Sequence, residues 1–183
     1  MSTKYTESTL YIKRLEPYGE DRTFAYPPQI HTGVELQHTV NDVVVIFMGT
    51  NVDNLRPTGS SASDPLNTLI TGLHEIIDSL KTSKYIVVGP YNKHTALEAG
   101  NWNNYMFRMG VEFGRHFLNQ LQFAVEYGLQ IEGIDPTESD ISAVAAGKMP
   151  QSFMADNVHM NAAGYDLLGK QIYWKGIELG YWK

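Results

Sequence analysis

The chain has 183 residues, 43% of them hydrophobic and 11% aromatic, and a formal net charge of −6. That length suits one domain with a substantial core, and a charged fraction of only 19% excludes a disordered tail. Fourteen basic residues, scattered against twenty acidic ones, argue against nucleic acid or an anionic membrane as partner, and the absence of cysteine removes disulfides, thiolate catalysis and cysteine-bound zinc.

Residues 1–41 read as a β-rich or extended segment: Tyr5, Leu10, Tyr11 and Ile12 suggest short strands, and "AYPPQIHTG" is a proline-broken extended stretch. From Asp42 onward the pattern becomes regular. "DVVVIFMG" is a continuous apolar run closed by glycine, the mark of a strand covered on both faces. It is far shorter than the roughly 20 residues a membrane span requires. The N-terminal "MSTKYTESTLYIKRLEPYG" lacks the apolar core of a signal peptide, so the sequence reads as that of a soluble protein.

"SASDPLNTLITGLHEIIDSLK" predicts a helix, with Asp64 as its cap, Pro65 at its first position, and Leu66, Leu69, Ile70, Leu73, Ile76, Ile77 and Leu80 at helical spacing. "KYIVVGP" predicts a second buried strand and "WNNYMFRMGVEFGRHF" a helix whose aromatic residues Trp102, Tyr105, Phe107, Phe113 and Phe117 read as core in preference to a stacking platform. "HFLN" predicts a short third strand and "LQFAVEYG" a turn or two of helix. "TESDISAVAA" predicts a short helix opening on a Thr-x-x-Asp cap. The last helix is expected near Asn161, with Ala162, Tyr165, Leu168, Ile172, Trp174 and Ile177 as its apolar positions. Strands alternating with helices imply parallel crossovers and an α/β three-layer sandwich around a central parallel sheet, with residues 42–183 as the α/β domain.

Open α/β sheets carry their working residues where strands end. Strand 43–48 ends in "GTN", so Gly49 and Asn51 stand at such an edge. There, Gly49 permits a tight turn and Asn51 offers side-chain N–H groups to an oxyanion; a simple turn fits the same letters. In "ADNVHMNAAGY" Asp156 precedes His159 by three positions, which lets the carboxylate orient the imidazole while the other ring nitrogen serves as general base; a cap and a surface histidine fit the same spacing. "HEIID" lacks the second histidine of a zinc-protease helix, which leaves His74 as a surface or partly buried residue. His31, His38, His94 and His116 share no metal-ligand spacing.

Taken together, "GTN" after an apolar strand, a strand ending "VVGP", and "DNVHMNAAGY" leading into the final helix resemble the SGNH (GDSL-type) hydrolases, a flavodoxin-like fold. The stretch from "FGRHF" to "NAAGY" is similar to a subgroup found in bacteriophage tail and virion proteins. The resemblance covers most of residues 42–183. It implies Asn51 as oxyanion donor, Asp156 and His159 as the triad acid and base, no metal and no organic cofactor. It also implies an acylated carbohydrate or similar ester as substrate, and a virion as one location.

The family's first block, a strand ending in Gly-Asp-Ser that carries the nucleophile, is absent from the sequence. Ahead of Asn51 the serines are Ser2 and Ser8. Ser8, in "YTESTL", is a weak candidate because no apolar strand precedes it to hold it rigidly. Ser60, Ser61 and Ser63 lie on the wrong side of the block order. Gly33 in "IHTGVEL" is either the second-block oxyanion donor or a turn. The expectation is therefore the C-terminal portion of an SGNH domain. Its first strand and its serine would come from another polypeptide, from a processed upstream piece, or not at all. Two functions follow: a Ser-His-Asp ester hydrolase such as a carbohydrate deacetylase, or a non-catalytic structural or glycan-binding module of a virion. A homo-oligomer stays an open alternative, with Trp174, Tyr181 and Trp182 as interface candidates.

Overall fold

Strands alternate with helices through the residues that the computed structural model describes, 39–49, 65–91 and 99–182. In chain order they are β1 (Val44–Phe47), α1 (Pro65–Ser79), β2 (Tyr85–Val88), α2 (Ala99–Phe113), β3 (Phe117–Leu118), α3 (Gln120–Phe123), α4 (Leu129–Ile131), α5 (Glu138–Ala145) and α6 (Ala162–Glu178). All belong to the unit Gln37–Lys183. The strands pair in parallel in the order β1-β2-β3, with Val44 opposite Tyr85 and Val87 opposite Phe117. The class is α/β with a small parallel sheet.

β2 is the strand the core is built on. Ile86, Val87 and Val88 are buried in succession, and successive side chains leave opposite faces, so β2 is covered on both. β1 departs from the expectation that it too is covered on both sides. Val45 is 40% exposed and Met48 is open as well, leaving Ile46 as its buried residue. The physical reason is position: among the described residues β1 is an edge strand, and the layers that cover a central strand thin out over an edge.

In α1 the predicted stripe is present, with Leu66 and Leu73 buried and Leu69, Ile70, Ile76 and Ile77 packed on the same core. The predicted cap, Asp64, lies outside the described residues. His74 is half-exposed: its Nε2 lies 2.6 Å from Glu112 Oε1 on α2 and its ring 5.2 Å from that of Phe113, an interhelix tie worth about 0–1 kcal/mol at an exposed site. Tyr105, Phe113 and Phe117 join the core as expected, but Phe107 points outward and is 70% exposed. Trp102's side chain lies outside the described residues.

α3 runs into a π-helical segment, Ala124–Gly128, and on into α4. α5 opens on the predicted capping box: Thr137 Oγ1 accepts from Asp140 N at 3.2 Å while Asp140 Oδ2 accepts from Thr137 N at 2.9 Å. Asp140 is fully buried, and it also accepts from Ser152 N and Ser152 Oγ, each at 2.8 Å. Burial raises its pKa, but these three bonds and a fourth from Thr137 Oγ1 to Oδ2, at 2.6 Å, outweigh burial and hold it at about 2.

The inward face of α6 is the predicted one only in part: Leu168 is buried and Ile172 packs on the core as expected, but the face also takes in residues the apolar pattern did not name. Gly164, Leu167, Leu168, Gln171 and Gly176 are buried, whereas Tyr165, Trp174 and Ile177 are exposed. Gly164 is turned inward because the helix lies against backbone there: a Cβ on it would stand 2.5 Å from the Phe153 carbonyl oxygen. α6 packs on β2, on β3 and on the 3-10 turn Gln151–Phe153. No helix among the described residues is long and apolar enough to cross a membrane.

Candidate functional site

Parallel strands finish at one edge of the sheet, and three of the chain's turns meet there. β1 closes on Gly49, whose φ of +98° suits glycine alone. A Cβ at this position would lie 3.0 Å from Leu69 Cδ2, 3.3 Å from the Tyr105 hydroxyl and 3.5 Å from Pro90 Cγ, so the end of β1 touches the turn that follows β2. One residue further along, the Tyr91 ring sits 6.3 Å from that of Phe47, and its hydroxyl donates to the Val158 carbonyl at 2.5 Å. Through this phenol the loop that carries Asp156 and His159 leans on the strand ends.

That loop is closed by its own backbone. Met154 and Met160 form an antiparallel bridge, Ala155 N donates to His159 O at 2.8 Å, and Asn161 N donates to Phe153 O at 2.9 Å. Asn161 also caps α6, its Oδ1 accepting from Gly164 N at 3.0 Å while its Nδ2 donates to Ser152 O at 2.8 Å. The helix cap that also fitted the spacing of Asp156 is therefore not made by that residue: Asn161 has the role.

Asp156 serves its own turn and the imidazole. Its Oδ1 accepts from Val158 N at 2.6 Å and His159 N at 2.7 Å, and its Oδ2 lies 2.8 Å from His159 Nδ1. The bond to the ring first, and then the two backbone donors, hold the carboxyl at about 2 although it is half-exposed. A carboxylate fixed in this way accepts from Nδ1–H, which sets the tautomer and leaves the lone pair on Nε2 for a proton. The His159 side chain is 69% exposed, so that nitrogen is accessible from solvent.

Other predicted site residues are brought less close or not described. Gly49 stands at the same edge as the pair, joined to it through Pro90, Tyr91 and Val158. Asn51, Gly33 and Ser8 lie outside the described residues, as do Ser60, Ser61 and Ser63. Among the described residues no serine is hydrogen-bonded to His159: Ser152 Oγ is given to Asp140 and Ser79 Oγ to Ile76 O. His116 is at the opposite end of β2, stacked on Tyr85 at 4.3 Å, and no group of three His, Asp or Glu residues gathers among the described residues.

Two residues of this edge were missed from the sequence. Tyr91 carried a signal, since it follows the glycine that closes a buried strand; burial pushes its hydroxyl up, helped by the charges of Tyr165 and Asp156. Gln120 carried none. It is buried and donates from Nε2 to Gly89 O at 2.5 Å, tying the start of α3 to the end of β2. Compared with protein-family models, with curated protein sequences and with solved structures, the chain has no match.

Proposed function

We propose that this chain carries the acid-base part of an SGNH-type ester hydrolase, acting on acylated carbohydrate or a similar ester, with the nucleophilic serine brought to it by a second polypeptide. The observation that carries the reading is the Asp156 Oδ2 to His159 Nδ1 distance of 2.8 Å, at the edge where β1 ends in Gly49. In the reaction the serine hydroxyl attacks the acyl carbon and His159 Nε2 takes its proton. Asp156 steadies the imidazolium, and Asn51 donates to the oxyanion. The protonated imidazole then hands the proton to the leaving alcohol. Water repeats the sequence to free the acid.

The burial of β2 on both faces supports a three-layer α/β/α sandwich. In that arrangement the outer edge of β1 receives the family's first strand from the same partner that supplies the serine. A second reading is favoured by the lack of a serine at His159 among the described residues. In it, the fold serves as a structural or glycan-binding module of a phage virion, and the pair merely stabilises its loop.

Hydrolysis of p-nitrophenyl acetate together with labelling by a fluorophosphonate separates the two. The chain alone should neither label nor turn over the ester. Mixed with the polypeptide encoded immediately upstream, it should do both, and His159→Ala should remove both. Rapid hydrolysis by the chain alone, abolished by His159→Ala, would refute the supplied serine. A mixture that stays inert on acetylated sugars would leave the virion-module reading.

A further inference from the structure

A cavity of about 460 Å³ opens beside the end of β3, within the roughly 300–1,000 Å³ that small-ligand sites occupy. Met106 and Leu121, both buried, line it with apolar surface, and Phe107 presents an aromatic ring that is 70% exposed. Three carboxamides, Asn103, Asn119 and Gln122, join the lining beside Val125 and Gly147. Two of them hold each other in place. Asn119 Nδ2 donates to Gln122 Oε1 at 3.2 Å, Asn119 Oδ1 accepts from Gln122 N at 3.2 Å, and Gln122 Nε2 donates to Glu126 Oε1 at 2.9 Å. An amide nitrogen carries two N–H groups, so each of these side chains keeps a donor for a ligand after its protein bond is made.

We propose that this cavity is a binding subsite for a neutral sugar residue. An exposed ring next to fixed planar amides suits a ligand with one apolar face and an equator of hydroxyls, the pattern of a pyranose. Among the described residues none that lines the cavity is charged, and the chain's net charge is −6, which disfavours nucleotides and other anions. The cavity shares its edge of the sheet with His159: Gln120, between the lining residues Asn119 and Leu121, binds Gly89 O, and Tyr91, two positions on, binds Val158 O. The proposal rests on the carbohydrate side of the functional reading above and not on its ester chemistry.

Saturation-transfer NMR on the full 183-residue chain tests it, with maltotriose, xylotriose and tri-N-acetylchitotriose as probes and trigalacturonate as the charged control. At least one neutral trisaccharide should bind at millimolar concentration, and trigalacturonate should not. Phe107→Ala should weaken binding by about tenfold, and Gln122→Ala should weaken it measurably too, both with unchanged thermal unfolding. His159→Ala should leave binding intact, so a failed esterase assay with intact sugar binding removes only the hydrolase reading. No binding by any neutral probe, or binding that neither Phe107→Ala nor Gln122→Ala disturbs, overturns the subsite whatever the esterase assay gives.

Discussion

Asp156 is an exposed carboxylate with three donors aimed at it, and the consequence is protonation behaviour that can be measured. Its folded value of about 2 lies below the ordinary 3.8, so the stabilisation it lends the loop is complete above about pH 4 and is lost as pH falls through 2. A carboxyl-carbon NMR titration should therefore place its midpoint near 2, and the acid limb of any His159-dependent activity should not come from this group. Replacing it tests the tautomer argument. In Asp156→Asn the amide oxygen can still serve the Val158 and His159 N–H groups, but an amide nitrogen would face Nδ1 and drive the proton to Nε2. Imidazole nitrogen shifts should report that exchange of tautomers, and reconstituted hydrolase activity should fall by about 10⁴-fold.

At the scale of elements, the loop 154–160 is held by what lies on either side of it. Asp140 joins the cap of α5 to the turn Gln151–Phe153, and Asn161 joins that turn to the cap of α6. Asp140→Asn leaves buried donors from Thr137 and Ser152 imperfectly met, at a cost of about 2–3 kcal/mol by urea denaturation at pH 7. The gap between wild type and variant should be full above about pH 4 and should close as pH falls through about 2, because the depressed carboxyl of the wild type is then protonated as well. The Thr-x-x-Asp cap was legible in the sequence because all its partners lie within one turn. Asp140's further bonds to Ser152 were not, since nothing local links positions twelve apart.

At the scale of the molecule, the sheet is unequal. β2 sits in the middle with Ile86, Val87 and Val88 closed to water, and β1 stands at an edge with Val45 open. Amide exchange should be slowest in β2, and those β1 amides that point away from it should exchange quickly in the isolated chain. Addition of the upstream-encoded polypeptide should slow the β1 amides if it contributes a strand to that edge. Unchanged exchange on addition would count against a completed sheet.

The order of strands and helices, the identity of β2 and α1, the α5 cap and the spacing of Asp156 and His159 were readable from the residues, because each depends on periodicity or on partners a few positions away. The inward face of α6, the exposure of Phe107 and the half-open state of β1 were decided by tertiary structure. In each case the deciding quantity is how closely another segment approaches: glycines at 164 and 176 let α6 come within contact of backbone and ring, and hydrophobicity patterns give glycine no weight. The meeting of Gly49 with the Tyr91–Val158 contact belongs to the same class. Residues more than a hundred positions apart in the chain become neighbours because parallel strands deliver their ends to a single edge.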